Sequence, residues 1–313
     1  MVGPKAFVPC FGITYMTVTV MCSCLMLPGF GQAADTASVE GANTARLVTI
    51  GVGGATVMGG SLIMLDQAWY AQYERSPFHF FNDGGEWAQM DKAGHAFSSY
   101  WIGRWAQGLT SWAGLDARSG AWIGFATANL FLGGVELLDG HSSAWGFSPW
   151  DMVANLAGSG VFLGQELGWG EQKVKLKYSS WPTELAEERP ELLGASFGER
   201  ILKDYNGQTI WATMAWGAVR PRSHWTDAFG LALGYGADGM LTADPDRTSS
   251  DEVVAGQDRY RQYLVSLDVD LERIPTRSKA VRTALFLLNC IKVPAPAVEF
   301  RSNGRVLMHG LYF

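Results

Sequence analysis

Asp91, Lys92 and His95 are the first residues whose types and spacing could support chemistry. Asp91 and His95 are four residues apart, so a helix would place both side chains on one face with Lys92 beside them. A carboxylate next to an imidazole can orient a general acid or base, and the same two ligand types bind several transition metals. This segment therefore predicts proton transfer or metal binding.

Two later segments carry polar residues at similar spacing. Glu136 and Asp139 are three residues apart, while Asp151 and Asn155 are four apart and Gly158 continues their face. Ionisable groups are expensive at membrane depth, so they are expected to turn toward the interior of a helical bundle and meet one another. We therefore expect the three segments to form a single polar cluster.

Three interpretations of this cluster follow from its residue types. His95 could be a general acid or base oriented by Asp91, with Lys92 in the same catalytic group, acting on a headgroup or a glycan-linked substrate. The cluster could instead bind a divalent metal, whose identity the sequence leaves open. It could also only stabilise the bundle through buried salt bridges, for example from Lys92 to Glu136 or Asp139. The predicted ligand-binding residues are Glu136, Asp139, Asp151 and Asn155.

Four segments with helical length and periodicity must position these groups. They are residues 47–65, 87–109, 120–138 and 149–167. The first is uncharged and about as long as a bilayer crossing requires. The last follows Ser148, which is typical of an N-cap, and begins with a proline. We therefore predict a mainly α fold, with a four-helix membrane-associated bundle at residues 45–170.

The C-terminal part of the chain has a different pattern. Residues 263–272 alternate apolar and polar side chains, which is typical of a half-buried strand. Residues 209–216 and 305–313 are weaker strand candidates, and 278–288 resembles a short helix. These elements predict a smaller α+β extramembrane domain at residues 195–313.

The composition is consistent with a protein that partly faces lipid. It is 48% hydrophobic and 17% charged, whereas soluble domains are typically about 25% charged. The mean hydropathy of +0.03 argues against a transporter built of membrane spans throughout. A net charge of -6 leaves no electrostatic footprint for nucleic acid. Membrane lipid is therefore the expected partner, together with an envelope glycan or a lipid precursor.

The N-terminus has the three parts of a secretory signal. Lys5 is the only charge before Asp35, an apolar run covers residues 13–27, and the small residues of a cleavage site follow at 31–33. We predict a signal peptide at residues 1–33. An uncleaved anchor helix is one alternative. Lipidation of Cys24 is another, although Met21 stands where such sites usually have leucine.

Three segments that contain the polar residues are similar to segments of a known family. They are Asp91-Lys92-Ala93-Gly94-His95, Glu136-Leu137-Leu138-Asp139-Gly140 and Trp145-Gly146-Phe147-Ser148-Pro149-Trp150-Asp151, with Asn155 and Gly158 after the last. Together they resemble the YfiM-like family of uncharacterised predicted periplasmic lipoproteins. Longer members from Bacteroidetes-type bacteria are also similar at residues 78–83 and 203–209, so the resemblance reaches from about residue 69 to the C-terminus. The order of the groups is more distantly similar to VanZ-like membrane proteins.

The resemblance implies an exported cell-envelope protein, at the inner or outer membrane with periplasmic exposure, and a shared polar site. It implies no reaction. We therefore expect an envelope protein whose buried Asp/His/Glu cluster stabilises the bundle or binds a ligand. The alternative is a membrane-embedded enzyme that acts on lipid or cell-wall precursors, with His95 as acid/base.

Overall fold

The structure is a computed structural model that describes residues 42–71, 73–220, 224–243 and 259–313. The predicted signal peptide, including Cys24, lies outside the described residues. The first part of the described chain contains four long helices: α1 (Thr44–Leu65), α2 (Met90–Trp112), α3 (Ala117–Gly140) and α4 (Pro149–Trp169). Their ends lie within three residues of the four predicted helical segments. The predicted start of α4 is confirmed, with Ser148 as N-cap and Pro149 in the first turn.

The second part forms a six-stranded antiparallel sheet in which each strand pairs with the next one along the chain. The strands are β1 (Val174–Ser180), β2 (Gln208–Ala215), β3 (Phe229–Asp238), β4 (Tyr260–Val269), β5 (Ala295–Arg301) and β6 (Val306–Tyr312). The connections contain α5 (Leu185–Glu188), α6 (Pro190–Leu193), α7 (Phe197–Lys203), α8 (Trp216–Val219) and α9 (Lys279–Leu288). The predictions that became β2, β4, β6 and α9 are confirmed, whereas β1, β3 and β5 were not predicted.

Helix α2 lies between α3 and α4, and glycines allow the three helices to approach closely. A Cβ added at Gly158 of α4 would lie 1.9 Å from the Ala96 carbonyl oxygen of α2. A Cβ added at Gly124 of α3 would lie 2.3 Å from the Gly103 carbonyl oxygen, also of α2. These close contacts place the polar faces of all three helices next to one another.

The sheet packs against the opposite side of α2. Trp101 Nε1 donates a hydrogen bond of 2.6 Å to the Leu176 carbonyl of β1. The rings of Phe97 and Tyr178 lie 5.8 Å apart. Both tryptophans at the centre of this contact, Trp101 and Trp105, are almost completely buried. Helix α2 is therefore the central element of one core that the helices and the sheet share.

The predicted fold class, a mainly α protein with a four-helix membrane bundle, is wrong. Within the described residues, two helices are long and apolar enough to cross a membrane, α1 and α3. Helix α2 is too polar for a span because it carries Asp91, Lys92, His95 and Arg104, and it is buried by protein instead. The six-stranded sheet is a major part of the fold and packs on α2.

Helix α1 contributes little to the helical core. Its most apolar window is only 6% buried, compared with 39% for the window in α3. Helix α1 contacts the other helices at its two ends. In its first turn, Arg46 Nη1 donates a hydrogen bond to the Trp112 carbonyl of α2 (2.8 Å). At its last residue, Leu65 packs in a cluster with Leu132 of α3. The domain ranges 45–170 and 195–313 remain predictions; β1 lies between them and joins the sheet.

Candidate functional site

One serine at the start of α4 binds the carboxylates of two acidic residues and the backbone of a third. Ser148 Oγ accepts a hydrogen bond from the Asp151 N–H (3.1 Å) and donates one to Asp83 Oδ1 (2.6 Å). The Ser148 N–H donates to Glu136 Oε2 (3.1 Å). Because Ser148 is the N-cap of α4, the residue that starts this helix also aligns the carboxylates around it.

Lys92 forms ion pairs with three of the surrounding carboxylates. Its Nζ lies 2.5 Å from Asp83 Oδ2, 2.9 Å from Asp91 Oδ2 and 2.9 Å from Asp151 Oδ1. Tyr205 Oη donates to the other oxygen of Asp91 (2.7 Å), which ties the cluster to the segment before β2. Lys92 therefore does not pair with Glu136 or Asp139, which were the example partners for a cluster that only stabilises the bundle.

The His95 ring is completely buried and its two nitrogens have different surroundings. Nδ1 lies 3.0 Å from Asn155 Oδ1. A carbonyl oxygen can only accept, so Nδ1 carries a proton and Nε2 of the neutral ring presents a lone pair. Nε2 has no hydrogen-bond partner among the described residues. The nearest charged atoms are Asp91 Oδ1 at 3.9 Å, Glu136 Oε1 at 3.8 Å and Asp151 Oδ1 at 3.8 Å.

We refer to six side chains as the acid–imidazole cluster: Asp83, Asp91, Lys92, His95, Glu136 and Asp151. All but Lys92 are buried. The cluster contains four carboxylates and one ammonium group, so it carries an excess of negative charge when the carboxylates are ionised. Charges removed from water are strongly unfavourable unless they are paired. An added cation would therefore stabilise the cluster.

The pKa values show how the members differ. Burial alone would raise the pKa of Asp91, but the charge of Lys92 lowers it to about 2. Burial raises the pKa of Asp151, and the charge of Asp91 adds to the effect. Burial lowers the pKa of His95, so its neutral form is favoured. The carboxylates around Lys92 raise its pKa although burial opposes them, which keeps it charged.

A left-handed turn leads into α2 directly before the cluster. Trp87, Ala88 and Gln89 have φ values of 48°, 49° and 64°. Non-glycine residues in this region cost on the order of 1–3 kcal/mol each, and such conformations gather at functional sites. The sheet holds this turn: Tyr235 Oη donates to the Ala88 carbonyl, and Arg261 Nη2 donates to Gln89 Oε1 (2.5 Å). The position of Asp91 and Lys92 therefore depends on the sheet.

A surface pocket of about 410 Å³ opens above Lys92. Its walls are Asn82, Gly84, Gly85, Gln89, Lys92 and Trp150. Lys92 is the cluster residue that this pocket reaches, and its side chain is 13% exposed, whereas that of His95 is fully buried. A solute that enters the pocket therefore meets the ammonium group before it meets the imidazole.

The structure brings together most of the residues that the sequence singled out. Asp91, Lys92, His95, Glu136, Asp151 and Asn155 converge as expected. Asp139 is also buried, but its carboxylate is not one of the three near His95 Nε2. Its Oδ1 accepts a hydrogen bond from Tyr70 (2.7 Å). His79 and His141 are bound to their local backbone carbonyls at Pro77 and Leu137.

Sequence reasoning missed two members of the site as functional residues, Asp83 and Tyr205. Both lie inside the longer motifs on which the resemblance rests, residues 78–83 and 203–209. Helical spacing could not find them, because Asp83 precedes the turn at Trp87 and Tyr205 lies in a 3-10 turn before β2. The motifs were the available signal, and the structure shows that both reach the cluster.

Comparison with known proteins gives one match. A family model described as "Predicted periplasmic lipoprotein (DUF2279)" matches residues 79–163, the part of the chain that holds the cluster residues on α2, α3 and α4. Searches of curated proteins and of solved structures found no match. The YfiM-like and VanZ-like parts of the resemblance stay predictions. Over residues 79–163 the chain is thus similar to an uncharacterised family of periplasmic lipoproteins, which supports an exported cell-envelope location.

Proposed function

We propose that this chain is a cell-envelope protein that binds a divalent metal ion in the acid–imidazole cluster. The observation that carries the proposal is the position of His95 Nε2, which lies 3.8–3.9 Å from oxygens of three carboxyl groups. Ionised carboxyl groups this close together repel one another, and either a shared proton or a bound cation relieves the repulsion. Imidazole together with carboxylates is a common ligand set for zinc and other transition metals.

The distances are compatible with this role. Zinc binds histidine nitrogen and carboxylate oxygen at about 2.0–2.2 Å, so neighbouring ligand atoms of a tetrahedral site lie roughly 3.3–3.5 Å apart. The observed separations are a few tenths of an ångström wider. Ligand atoms of Asp91, His95 and Asp151 all lie within 4.8 Å of one another. Glu136 Oε1, which lacks a hydrogen-bond partner in the described part of the chain, supplies a fourth ligand atom.

The surrounding hydrogen bonds also support metal binding. Metal-binding histidines usually have their second ring nitrogen fixed by another group, which sets the tautomer and the ring orientation. Asn155 Oδ1 does this for His95. Tyr205 and Ser148 orient Asp91 and Glu136 in the same way, through one oxygen of each carboxylate. The remaining oxygen of Glu136 and the free ring nitrogen are thereby directed at the same point.

Acid–base catalysis is the alternative, and it uses the same atom. A general acid or base would need the Nε2 position of His95 for the substrate proton, whereas a bound metal would occupy it. The specific observation in its favour is the pocket above Lys92, which would admit a polar group to the edge of the cluster. An envelope glycan or a lipid precursor remains the proposed substrate class of that alternative.

The proposal also includes contact with membrane lipid. Large apolar side chains are exposed on α1 and α3, among them Val52, Ile63, Leu130 and Leu137. Helix α1 has the length and hydropathy of a membrane span and is barely covered by protein. This supports anchoring of the chain at a membrane, with the cluster close to the membrane surface on the periplasmic side.

Metal binding to the purified full-length protein tests the proposal. The protein is stripped with a chelator and titrated separately with Zn²⁺ and Mn²⁺ by calorimetry. We expect one ion per chain, and His95→Gln should weaken binding by more than the 10–100-fold typical of changes to groups that only orient a ligand. His141→Gln, an exposed histidine on the same bundle, is the matched control and should bind like the wild type.

Two results would contradict metal binding. One is the absence of a bound ion in the wild-type protein, with thermal stability unchanged by either metal. The other is equal affinity in His95→Gln and wild type. The first result would leave buried salt bridges as the role of the cluster, and the second would place the ion elsewhere.

A further inference from the structure

We propose that the outer face of the sheet lies in the hydrocarbon region of a lipid bilayer. This surface belongs to the region that the sequence analysis placed outside the membrane. The inference does not depend on metal binding, since it concerns a different part of the molecule. It rests on the distribution of apolar and polar side chains between the two faces of β2–β6.

Large apolar side chains line up across the strands on the outer face. We call this surface the apolar rows, which consist of Met214, Leu231 and Leu267, then Leu233, Val265, Val298 and Met308, then Tyr263, Phe300 and Val306. Each residue is the register partner of the next one within its row. Leu233 is 61% exposed and Met308 is 85% exposed. The rows form one continuous apolar surface over five strands.

The inner face of the same strands is buried and mixes polar with apolar residues. On β4 the buried polar residues Gln262, Ser266 and Asp268 share this face with Leu264. Leu264 belongs to a small core with Trp211, Ala232 and Ala297. Lys177 of β1 is completely buried and forms an ion pair with Asp268 at 2.7 Å. Lys175 pairs with Asp270 at 2.8 Å. The sheet thus buries charged groups on one face, while Leu231, Leu233 and Leu267 stay exposed on the other.

The curvature of the sheet helps to keep water from this inner face. The last strand reaches back to the second one, where Tyr312 Oη lies 3.0 Å from Thr209 Oγ1 and the Tyr312 ring packs edge-on against Trp211. Further inside, Glu299 accepts hydrogen bonds from Gln262 (2.9 Å) and Arg301 (2.6 Å). The polar groups are therefore paired with one another rather than solvated.

A broad exposed apolar face opposite buried charged groups is not typical of a sheet in water. A sheet with one solvated face normally has its apolar residues inside and its polar residues outside. Strands in contact with lipid alternate apolar residues outward with polar residues inward. Soluble monomers also rarely expose continuous apolar patches of more than a few hundred square ångströms. The apolar rows therefore fit hydrocarbon as their neighbour.

Aromatic residues at the ends of the rows point to the same environment. Trp216 and Trp225 are exposed where β2 turns toward β3, and Tyr263 lies toward the other end. Tryptophan and tyrosine gather at membrane–water boundaries. From Phe229 to Leu233, the exposed part of β3 spans roughly 14 Å at about 3.4 Å per residue, which is close to the depth of one leaflet. A bilayer rather than a second protein thus explains both the width of the surface and its borders.

Spin labels at single positions test this inference. The full-length protein, with Cys10, Cys22, Cys24 and Cys290 all replaced by alanine, receives Leu233→Cys, Val265→Cys or Met308→Cys, is labelled with a nitroxide and is placed in phosphatidylcholine–phosphatidylglycerol vesicles. Collision with oxygen, which enters hydrocarbon, is compared with collision with a water-soluble nickel chelate. Glu187→Cys, on the exposed side of α5, is the matched control. We expect the oxygen-to-nickel accessibility ratio at the three row positions to exceed that of the control several-fold.

Three positions are used so that one poorly folded variant does not decide the outcome. A ratio at the rows equal to that at Glu187→Cys would overturn the inference, because the surface would then be in water. Exclusion of both oxygen and nickel would also overturn it, since a protein partner or a second copy of the chain would then cover the rows.

Discussion

The buried charges of the sheet and those of the acid–imidazole cluster differ in how completely they are paired. Inside the sheet, Lys177 is matched by Asp268, and Lys175 is bound by Asp270 and Glu272. In the helices, four carboxyl groups share the cluster with a single ammonium group, and three of them lie 3.8–3.9 Å from His95 Nε2. A balanced network can be explained by stability alone. The excess of acidic groups in the helical cluster favours a bound cation, which is why this cluster and not the sheet is the proposed site.

The first prediction breaks the balanced pair. Lys177→Met leaves Asp268 buried without its partner, and removal of one member of a buried ion pair typically costs about 3–5 kcal/mol. We expect a loss of this size in the free energy of unfolding, measured by denaturant titration in detergent. The double variant Lys177→Met/Asp268→Leu should recover most of it, because no charge is then left unpaired. Equal stability of the single and double variants would show that the loss does not come from an unpaired Asp268 carboxylate.

A second prediction concerns the residue that fixes the imidazole. Asn155→Ala removes the acceptor for His95 Nδ1 while leaving every proposed metal ligand in place. Metal affinity should fall by about 10–100-fold, as is typical when a group that orients a ligand is removed. The check is calorimetric titration, with Asn129→Ala, a partly buried asparagine on α3, as control. Unchanged affinity in Asn155→Ala would argue that His95 is not a ligand.

The smallest predicted effect is a pH dependence of the metal-free protein. Because folding raises the pKa of Asp151, the native chain keeps the Asp151 proton to a higher pH than the unfolded chain does. Its contribution to stability is therefore present at low pH and is lost as pH rises through the native pKa, by at most about 1.4 kcal/mol per pH unit. Relative to Asp151→Asn, metal-free wild type should lose stability between pH 5 and pH 8.

Comparison with the variant is needed because His95 acts in the opposite direction. Burial lowers its pKa, so its contribution is lost as pH falls. Thermal unfolding of both proteins at several pH values gives the difference that belongs to Asp151. A constant difference from pH 5 to pH 8 would mean that Asp151 stays ionised in the native protein. Saturating metal should remove the dependence if Asp151 is a ligand.

Much of the helical region could be predicted because its signals are local. Ser148 and Pro149 mark the start of α4, and the spacing of Asp91 and His95 defines one face of α2. The cost of burying charge then implied that the polar faces meet. Asp139 showed the limit of this reasoning: it lies one turn from Glu136, yet Tyr70 binds it instead. Spacing determines a face but not the neighbour of each residue on it.

The strands were harder to predict because their pattern depends on what surrounds them. β3 was missed since glycines occupy its inner positions; at Gly234 a Cβ would lie 2.7 Å from the Trp211 ring, so the glycine makes room for the indole. In β1, Lys175 and Lys177 fall between the predicted domains at 45–170 and 195–313, whereas they are inner-face residues paired with acids of distant segments. Neither fact is visible from the residues nearby.

The sequence by itself determined the long helices, the residue types of the cluster and the alternation of β4, because each depends on contacts within a few residues. The tertiary structure alone decided which acids reach His95, that Asp83 and Tyr205 join them, and that α2 is enclosed by protein rather than by lipid. It also decided which face of the sheet is buried. An alternating strand has the same sequence whether its apolar side faces a protein core or hydrocarbon, and only its packing distinguishes the two.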